Sequence, residues 1–537
     1  AQYGSDAIAG VINVILNDAS EGISVTAQTG KYYDADGDRT TIGVNAGFAM
    51  GADGFINVTA EHSTAEPTSR GVPRFDCPGV IAEVGFDAVP LDGLCQRWGD
   101  PDVETVKFFV NLGAPLGENM EFFANASYSD NETVSDFFYR TPVVDPAAQI
   151  AARSTLMTDT DGDFIADPAP QSLVDDIVGA GLNPADYLTA DAGSASGWIL
   201  LNPIHTMFPG GYNPNFGAEI SDYAVVAGLR GDTAGDMTWD VRARIAESEA
   251  DYTLSESINP SLGGLSPTSF RPGTLTQEET SINADFVKSF DVGGLASPLN
   301  FAFGAEYRDE TYVIGAGDAA SIAIGPVPGY GVWSDGFQGF PIESAGSFSS
   351  ESFAAYLDIE ADLTESFTFG AAVRYEDYQE FDSTFDWKLS GRLQVNDQFA
   401  LRATASTGFR APTPGQVNTL NTTTSADSQG NLTPTSTFPV NSTEAQVLGS
   451  SPLEPEESTS FTLGAVIEPA DNWSVTIDYY NISVDDRLAL LGPLTVTQED
   501  VDAMTAAGVQ NADFLLGSLA SYFANAFDSD VSGIDVA

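Results

Sequence analysis

The chain lacks a long apolar run and has few basic residues. No stretch of about 18 consecutive apolar residues occurs in its 537 residues, which excludes a helical membrane span. Lys and Arg number 20 against 77 Asp and Glu, so the net charge is −57. Because a phosphate backbone is bound by clustered Lys and Arg, nucleic acid is excluded as a partner. A disordered acidic tail is also excluded, since 42% of the residues are hydrophobic.

Cysteine and histidine are nearly absent. Cys77 and Cys95 are the only cysteines, and they flank a segment rich in turn residues. We interpret them as a disulfide, which implies an oxidising compartment; two unrelated buried thiols are the alternative. A zinc site is disfavoured, because His62 and His205 are the only histidines and neither has metal-ligand spacing.

The sequence contains no recognisable catalytic constellation. Neither histidine has a Ser or Cys partner at a familiar spacing, and no nucleophile elbow of the G-x-S-x-G type is present. Abundant Asp and Glu do not by themselves identify a glycosidase pair. We therefore expect that the protein is not an enzyme.

Alternation of apolar and polar residues is the dominant pattern. Segment 366–378 places Phe367 and Val373 on one face, and Thr368 and Arg374 on the other. Segments of about ten residues with this period are typical of strands that have one apolar and one polar face. The same pattern occurs at 22–33, 39–49, 54–63, 104–113, 120–130, 222–231, 237–248, 279–290, 298–309, 352–363, 384–395, 399–408, 457–468 and 473–481.

Short and long connections alternate between these segments. The short ones hold turn-forming Asn, Asp, Glu and Gly. This alternation is typical of a transmembrane β-barrel, which has tight turns on one rim and long external loops on the other. A large soluble β-sandwich or propeller is the alternative, although no blade-length repeat is present. The long connections are 64–103, 131–221, 249–278, 309–350 and 411–456.

Three stretches resemble one known family, the TonB-dependent outer-membrane receptors. Residues 3–15 (YGSDAIAGVINVI) resemble the end of the family's plug domain. Residues 401–414 (LRATASTGFRAPTP), followed by 453–456 (LEPE) and Ser458, resemble a strand and loop late in the barrel. Residues 522–535 (YFANAFDSDVSGID) resemble a strand start in the same barrel region. Their order and spacing also fit the family.

The resemblance implies an all-β fold, namely an antiparallel transmembrane β-barrel with the C-terminal end of an N-terminal plug domain. About 16 of the family's 22 strands are present. Residues 1–17 are expected to end the plug and 18–537 to form the barrel, truncated at its C-terminus. The apolar run 11–16 is predicted to be a buried plug strand. Because no signal peptide opens the chain, we expect a fragment clipped at both ends.

The resemblance also implies an outer-membrane receptor of a Gram-negative bacterium that takes up a scarce nutrient actively. The TonB complex would energise it, through a contact segment absent from this chain, and outer-membrane lipid and lipopolysaccharide would surround it. The expected ligand is a ferric siderophore or another iron complex, with an oligosaccharide or cobalamin as alternatives. A passive diffusion porin and a secreted soluble β-rich enzyme or adhesin are alternatives of other classes.

Aromatic segments in the long connections are candidates for the ligand-binding mouth. The segment GYGVWSDGFQGF carries Trp333, Phe337 and Phe340, and the segment FPGGYNPNFG carries Tyr212. Their rings offer stacking area for sugars or siderophore rings. Packing of the loops against one another is the alternative.

An acidic segment, DTDGDFIAD, is a candidate for structural calcium. It places Asp159, Asp161, Asp163 and Asp167 around one glycine, and Ca²⁺ prefers six to eight oxygen ligands. No bidentate Glu follows at the distance that the known calcium loop requires. A solvated acidic loop is the alternative, and no other cofactor is expected.

Overall fold

The computed structural model describes residues 13–142, 156–160, 165–381, 383–426, 432–470 and 472–537, and most of them lie in strands. The strands are β1 (Ile23–Gly30), β2 (Arg39–Met50), β3 (Gly54–Ala65), β4 (Asp102–Pro115), β5 (Met120–Asp136), β6 (Thr189–Ala190), β7 (Trp198–Ile199), β8 (Asn215–Asp232), β9 (Met237–Ser255), β10 (Phe270–Phe290), β11 (Leu299–Gly315), β12 (Gly346–Thr364), β13 (Phe367–Tyr378), β14 (Thr384–Asn396), β15 (Phe399–Arg410), β16 (Asn421–Ala426), β17 (Leu432–Thr437), β18 (Glu456–Ala470), β19 (Trp473–Thr495) and β20 (Leu519–Val536). The α-helices are α1 (Cys77–Val84), α2 (Gln171–Gly179), α3 (Pro414–Asn418), α4 (Thr443–Val447) and α5 (Gln498–Ala506). Short 3₁₀ turns lie at Phe86–Ala88, Leu91–Gly93, Pro184–Asp186, Pro203–Met207, Pro260–Leu265 and Ala512–Leu515.

Sixteen strands form one continuous antiparallel wall. Strands β1 to β5 pair in sequence, β5 pairs with β8, and the ladder continues strand by strand to β15. It then passes to β18, β19 and β20. Between the described residues, no ladder joins β20 to β1. The predicted all-β antiparallel architecture of about sixteen strands is confirmed.

Most wall strands are longer than the ten residues that alternation predicts. Strand β10 has 21 residues and begins nine residues before its alternating segment 279–290, whereas β19 has 23 and continues fourteen residues past its segment 473–481. The apolar face needs to match only the lipid thickness, whereas backbone hydrogen bonding can continue beyond it. The alternation therefore marks only one part of each of these strands and misses the rest.

Apolar side chains of the wall are exposed and charged ones are buried, which is the reverse of the burial seen in soluble proteins. Large apolar side chains on one face are open, as Phe385 shows with 64% exposure. On the other face, Arg374 and Glu376 are 4% and 1% exposed and form an ion pair of 2.8 Å. Because charged residues are seldom buried unless paired, the polar face must be the interior and the apolar face must meet an apolar medium.

The two rims differ in the length of their connections, as the sequence predicts. On one rim the joints are two to eight residues long, at 51–53, 116–119, 233–236, 291–298, 365–366, 397–398 and 471–472. On the other, which we call the long-loop rim, six joints have fourteen or more residues: 66–101, 137–214, 256–269, 316–345, 411–455 and 496–518. Loop 496–518 was not predicted from the sequence, because no alternating segment was found after it to mark where it ends.

The segment before the wall runs along the polar face. The Asn111 side-chain amide donates to the carbonyl of Asn17, and the Asn57 amide donates to that of Ala19. Residues 1–12 lie outside the described part of the chain. Residues 13–16 form no strand, and Ile15 is 88% exposed, so the predicted buried strand does not form over these four positions. A strand apolar on both faces needs cover on both sides, and these residues have none here.

No helix in the described part of the chain has the length and apolar character needed to cross a membrane.

Candidate functional site

Loops on the long-loop rim pack together around small cores of their own. The first core joins loops 66–101 and 137–214, and it contains Val80, Val89 and Tyr139 beside Cys77 and Cys95. The two cysteines form a disulfide and are fully buried. Apolar burial of this kind fixes loop positions that would otherwise lose conformational entropy on ordering.

Polar contacts secure the first core. The Tyr139 hydroxyl donates to the carbonyl of Gly210 at 2.6 Å, and the Arg74 guanidinium donates to the carbonyl of Tyr139 at 2.9 Å. Burial raises the pKa of the Tyr139 phenol, so this hydroxyl keeps its proton at neutral pH. The Arg74 contact and the shared apolar core join the two loops into one packed unit.

A buried ion pair joins this unit to loop 316–345. The Arg140 guanidinium meets the Asp335 carboxylate in a two-pronged contact, with Nε–Oδ2 at 2.8 Å and Nη2–Oδ1 at 2.9 Å. The Tyr212 hydroxyl donates to the same Oδ2 at 2.5 Å. We call Arg140, Tyr212 and Asp335 the latch. Its arginine is only 1% exposed at the side chain.

Charge and burial act on the latch in defined directions. Burial lowers the pKa of Arg140, but the adjacent Asp335 carboxylate outweighs burial and the net pKa is raised. Burial, reinforced by Asp335, raises the pKa of the Tyr212 phenol well above its usual range. The guanidinium therefore stays charged and the phenol stays protonated, which are the states that the geometry needs.

The same aspartate also fixes a third loop through its backbone. The amide of Asp335 donates to the carbonyl of Ile258 at 2.8 Å, and the Ser257 hydroxyl donates to the carbonyl of Asp335. Loops 137–214, 256–269 and 316–345 thus converge on one residue.

Beside the latch lies an aromatic cluster. Phe337 and Phe340 are buried among Phe216, Tyr252 and Phe137. The Phe337 ring stacks on Phe216 with 4.6 Å between centroids. Such pairs add to area burial by about 0.5–1.5 kcal/mol each.

The four aromatic residues predicted to bind ligand fall into two groups. Tyr212, Phe337 and Phe340 are buried in contacts with other loops and with the strands β8 and β9. Trp333 is half-buried and lines open space. The prediction that ligand contacts these residues stays a prediction. Trp333 and Phe340 both line the larger cavity described below, but Phe340 is only 1% exposed.

Two adjacent cavities open beside Trp333. The larger has a volume of about 550 Å³ and lies between loops 316–345, 411–455 and 496–518. The smaller, of about 210 Å³, shares Trp333, Gln338 and Thr422 with it. The larger falls within the range of about 300–1,000 Å³ typical of small-molecule sites. We call the two together the Trp333 cavity.

The backbone of Trp333 adopts a rare conformation. Its φ angle is +67°, in the left-handed region that bulky residues seldom enter. The next residue holds it there, since the Ser334 hydroxyl donates to the carbonyl of Phe337 at 2.6 Å and its amide to that of Ser321 at 3.0 Å. Such outliers cost about 1–3 kcal/mol and cluster at functional sites.

Polar side chains around the cavity carry unused hydrogen-bonding capacity. Five polar side chains in the cavity lining make no hydrogen bond and no ion pair with any described residue. The sequence missed these residues, because an isolated polar residue in a loop is indistinguishable from a solvated one until the loop is folded. They are Gln338, Glu343, Asn421, Glu444 and Gln510.

The candidate calcium segment is described only in part. Asp161 and Asp163 lie outside the described residues. Asp167 accepts hydrogen bonds from the amide and the hydroxyl of Thr160, at 3.0 and 2.8 Å. Between the described residues, including Asp159, no group of three metal-ligating side chains forms. Calcium binding stays a prediction.

The family of the chain follows from comparison of its sequence. The model described as TonB dependent receptor-like, beta-barrel matches residues 168–537, which is more than half of the chain. The chain therefore belongs to the TonB-dependent receptor-like β-barrel family. Members of this family are receptors, so the expectation that the protein is not an enzyme is confirmed. No curated protein matches the chain.

Solved structures share its fold. The siderophore receptor PirA from Pseudomonas aeruginosa has a TM-score of 0.57 at 12% identity, over 100% of this chain and 66% of that one. PirA from Acinetobacter baumannii has 0.54 at 14%, over 100% and 62%. The ferric enterobactin receptor PfeA from Pseudomonas aeruginosa, in a mutant form bound to enterobactin, has 0.57 at 13%, over 100% and 63%. The chain thus spans slightly less than two thirds of these receptors.

Proposed function

We propose that the chain is part of an outer-membrane receptor that captures a scarce nutrient on its long-loop rim and imports it with energy from the TonB complex. The observation that carries this proposal is the family match over residues 168–537. It disfavours a passive porin and a secreted enzyme or adhesin, because neither belongs to this family.

The wall supports placement in a membrane. Its apolar face is exposed, and aromatic residues such as Trp473 and Phe385 are open on the surface. Outer-membrane lipid would cover this face, and lipopolysaccharide would surround the long-loop rim in a Gram-negative bacterium.

The start of the chain supports a plug on the inside of the wall. Hydrogen bonds from Asn57 and Asn111 draw residues 17–19 against the polar face. We assign residues 1–17 to the end of a plug domain and 18–537 to the barrel. A plug in this position is where a coupling complex could act on the ligand path.

The solved structures of similar receptors do not identify the ligand of this chain. PirA and PfeA are named for siderophores and ferric enterobactin. At 12–14% identity they support the fold of this chain and leave its ligand open. A ferric siderophore therefore remains one candidate beside an oligosaccharide or cobalamin.

Whole-cell accumulation tests the mechanism. Cells with and without the receptor gene would be given ferric enterobactin, cyanocobalamin or maltoheptaose, each labelled, with and without a protonophore. We expect one probe to accumulate above its external concentration, and this accumulation to disappear with the gene, with TonB or with the proton gradient. Uptake that follows the concentration gradient and resists the protonophore would indicate a porin.

A further inference from the structure

The loops around the Trp333 cavity contain no positive charge. Loops 316–345, 411–455 and 496–518 include no Lys, Arg or His. They carry ten carboxylates: Asp318, Asp335, Glu343, Asp427, Glu444, Glu454, Glu499, Asp500, Asp502 and Asp513. These three loops therefore contribute only negative charge to this part of the rim.

Three of these carboxylates line the cavity. Glu343 and Glu444 line its larger part, and neither is paired with a cation among the described residues. Asp335 lines the smaller part, but Arg140 neutralises it. Like charges placed together oppose binding, so an anionic ligand would be repelled here.

The remaining lining suits a neutral molecule with many hydroxyl groups. Trp333 offers a flat apolar ring, on which the C–H face of a sugar can pack. Gln338, Asn421 and Gln510 offer amide donors and acceptors, and the two glutamates offer acceptors to hydroxyl protons. A carboxylate can bind a hydroxyl of the ligand by accepting its hydrogen bond, so the ligand does not have to be a cation.

A metal ion alone fits this lining poorly. Glu343 and Glu444 belong to different loops, and no third carboxylate or imidazole joins them among the residues that the structure describes. The apolar part of the wall, which includes Ile322, Ile324 and Phe438, would desolvate an ion without compensation.

From this chemistry we infer that the Trp333 cavity binds an uncharged saccharide, with Trp333 as the stacking platform and Glu343 and Glu444 as hydroxyl acceptors that reject anions. The inference rests on the proposed function for its place on the import path. It excludes an anionic ferric siderophore as the ligand of this cavity.

Calorimetry on the purified receptor in detergent tests the inference. The probes are maltoheptaose and xylohexaose, ferric enterobactin as the anion, and trilysine as the cation. We expect one of the oligosaccharides to bind with an affinity that salt changes little, because no charge pairing is involved. Tight binding of ferric enterobactin, binding of trilysine alone, or no heat with either oligosaccharide would overturn the inference.

Removal of the platform gives a second test. Trp333→Ala should weaken oligosaccharide binding about tenfold, as loss of ring stacking predicts. Trp473→Ala, at an exposed tryptophan on the opposite rim, should leave binding unchanged. Equal effects of the two substitutions would contradict the assignment, and heat-modifiable migration on gels would show that both variants keep the barrel folded.

Reversal of charge gives the sharpest test. Glu343→Lys with Glu444→Lys should create binding of ferric enterobactin and weaken that of the oligosaccharide at least tenfold. Since neither glutamate has a partner among the residues that the structure describes, the fold should tolerate both changes. The matched control is Glu499→Lys with Asp513→Lys, which changes the charge of the rim equally outside the cavity lining. If the control creates the same anion binding, rim charge rather than the cavity sets selectivity.

Cellular uptake separates this inference from the proposed function. Energy-dependent accumulation of ferric enterobactin through the receptor would remove the saccharide assignment and leave active uptake standing. If the oligosaccharide binds but its uptake does not respond to the protonophore, the saccharide assignment stands and active uptake is refuted.

Discussion

The two halves of the long-loop rim organise their charge in opposite ways. In loops 66–101 and 137–214, the described arginines Arg70, Arg74, Arg97 and Arg140 all pair with carboxylates. Loops 316–345, 411–455 and 496–518 contain no Lys, Arg or His, and several of their polar side chains line a cavity without a partner in the described part of the chain. The first half is therefore closed, meaning that its charged side chains are paired and its loops are packed together. The second half is open, meaning that its polar side chains line a cavity. Arg140 connects them, because its partner Asp335 lies in the second half.

The largest expected effect comes from breaking this connection. Arg140→Ala leaves the Asp335 carboxylate, whose side chain is only 13% exposed, without its cation, and breaking a buried pair in this way typically costs about 3–5 kcal/mol. We expect faster hydrogen exchange in loops 137–214 and 316–345, with the wall strands unchanged. The control is Arg70→Ala, whose ion pair with Asp36 is exposed and should matter little. If Arg70→Ala were as damaging, burial of the latch would not be what matters.

A smaller effect separates the packed aromatics from the open one. Phe337→Ala should lower the free energy of local unfolding of loop 316–345 by about 3 kcal/mol, the lower end for a buried Phe. Trp333→Ala should lower it by less than about 1 kcal/mol, since its ring lies partly in open space. Limited proteolysis of the loop would measure both. The reverse order would mean that Trp333 is structural and that Phe337 is free for ligand.

The disulfide tests how much of the closed half depends on covalent support. Cys77→Ala with Cys95→Ala removes a link across 18 residues, and we expect a loss of about 2–3 kcal/mol in that loop. Proteolysis within 66–101 should quicken, and a reducing agent should reproduce the effect on the unchanged protein. Loops of the open half should keep their protection, and loss of protection there would show that the halves are coupled through more than the latch.

The smallest effect is a dependence on alkaline pH. The folded pKa of Tyr212 is raised above its unfolded value near 10, so the unfolded loop loses a proton that the folded one keeps. The stabilisation from this phenol is therefore complete below pH 10 and declines as pH rises through the folded pKa. Hydrogen exchange of loop 137–214 should show this decline, and Tyr212→Phe should reduce its slope. An unchanged slope would place the titration on another group.

The wall was predictable from sequence because each strand carries its own evidence. Alternation in 366–378 already placed Arg374 on the polar face, and the structure buries it there. Strand ends such as 482–495 in β19 were missed, because hydrogen bonding continues after the apolar face stops.

For the loops, the sequence predicted their positions along the chain but not the contacts of their side chains. Trp333 and Phe337 are four residues apart in one aromatic segment, and nothing local shows that one is half-exposed and the other buried. The difference comes from Phe216 and Tyr252 on other strands, which cover Phe337. Arg140 likewise shows no sign of its partner in sequence, since Asp335 is 195 residues away.

That separation has a consequence for the order of folding. Closing a chain segment of 195 residues costs entropy, and pairing of the intervening strands β8 to β11 offsets this cost by bringing the two loops together. We therefore expect the ion pair to form late in assembly. A slip of one residue in an intervening register would turn the side chains of that strand to the opposite face and misplace the loop that follows it. We therefore expect the latch to form only on a wall whose registers are correct.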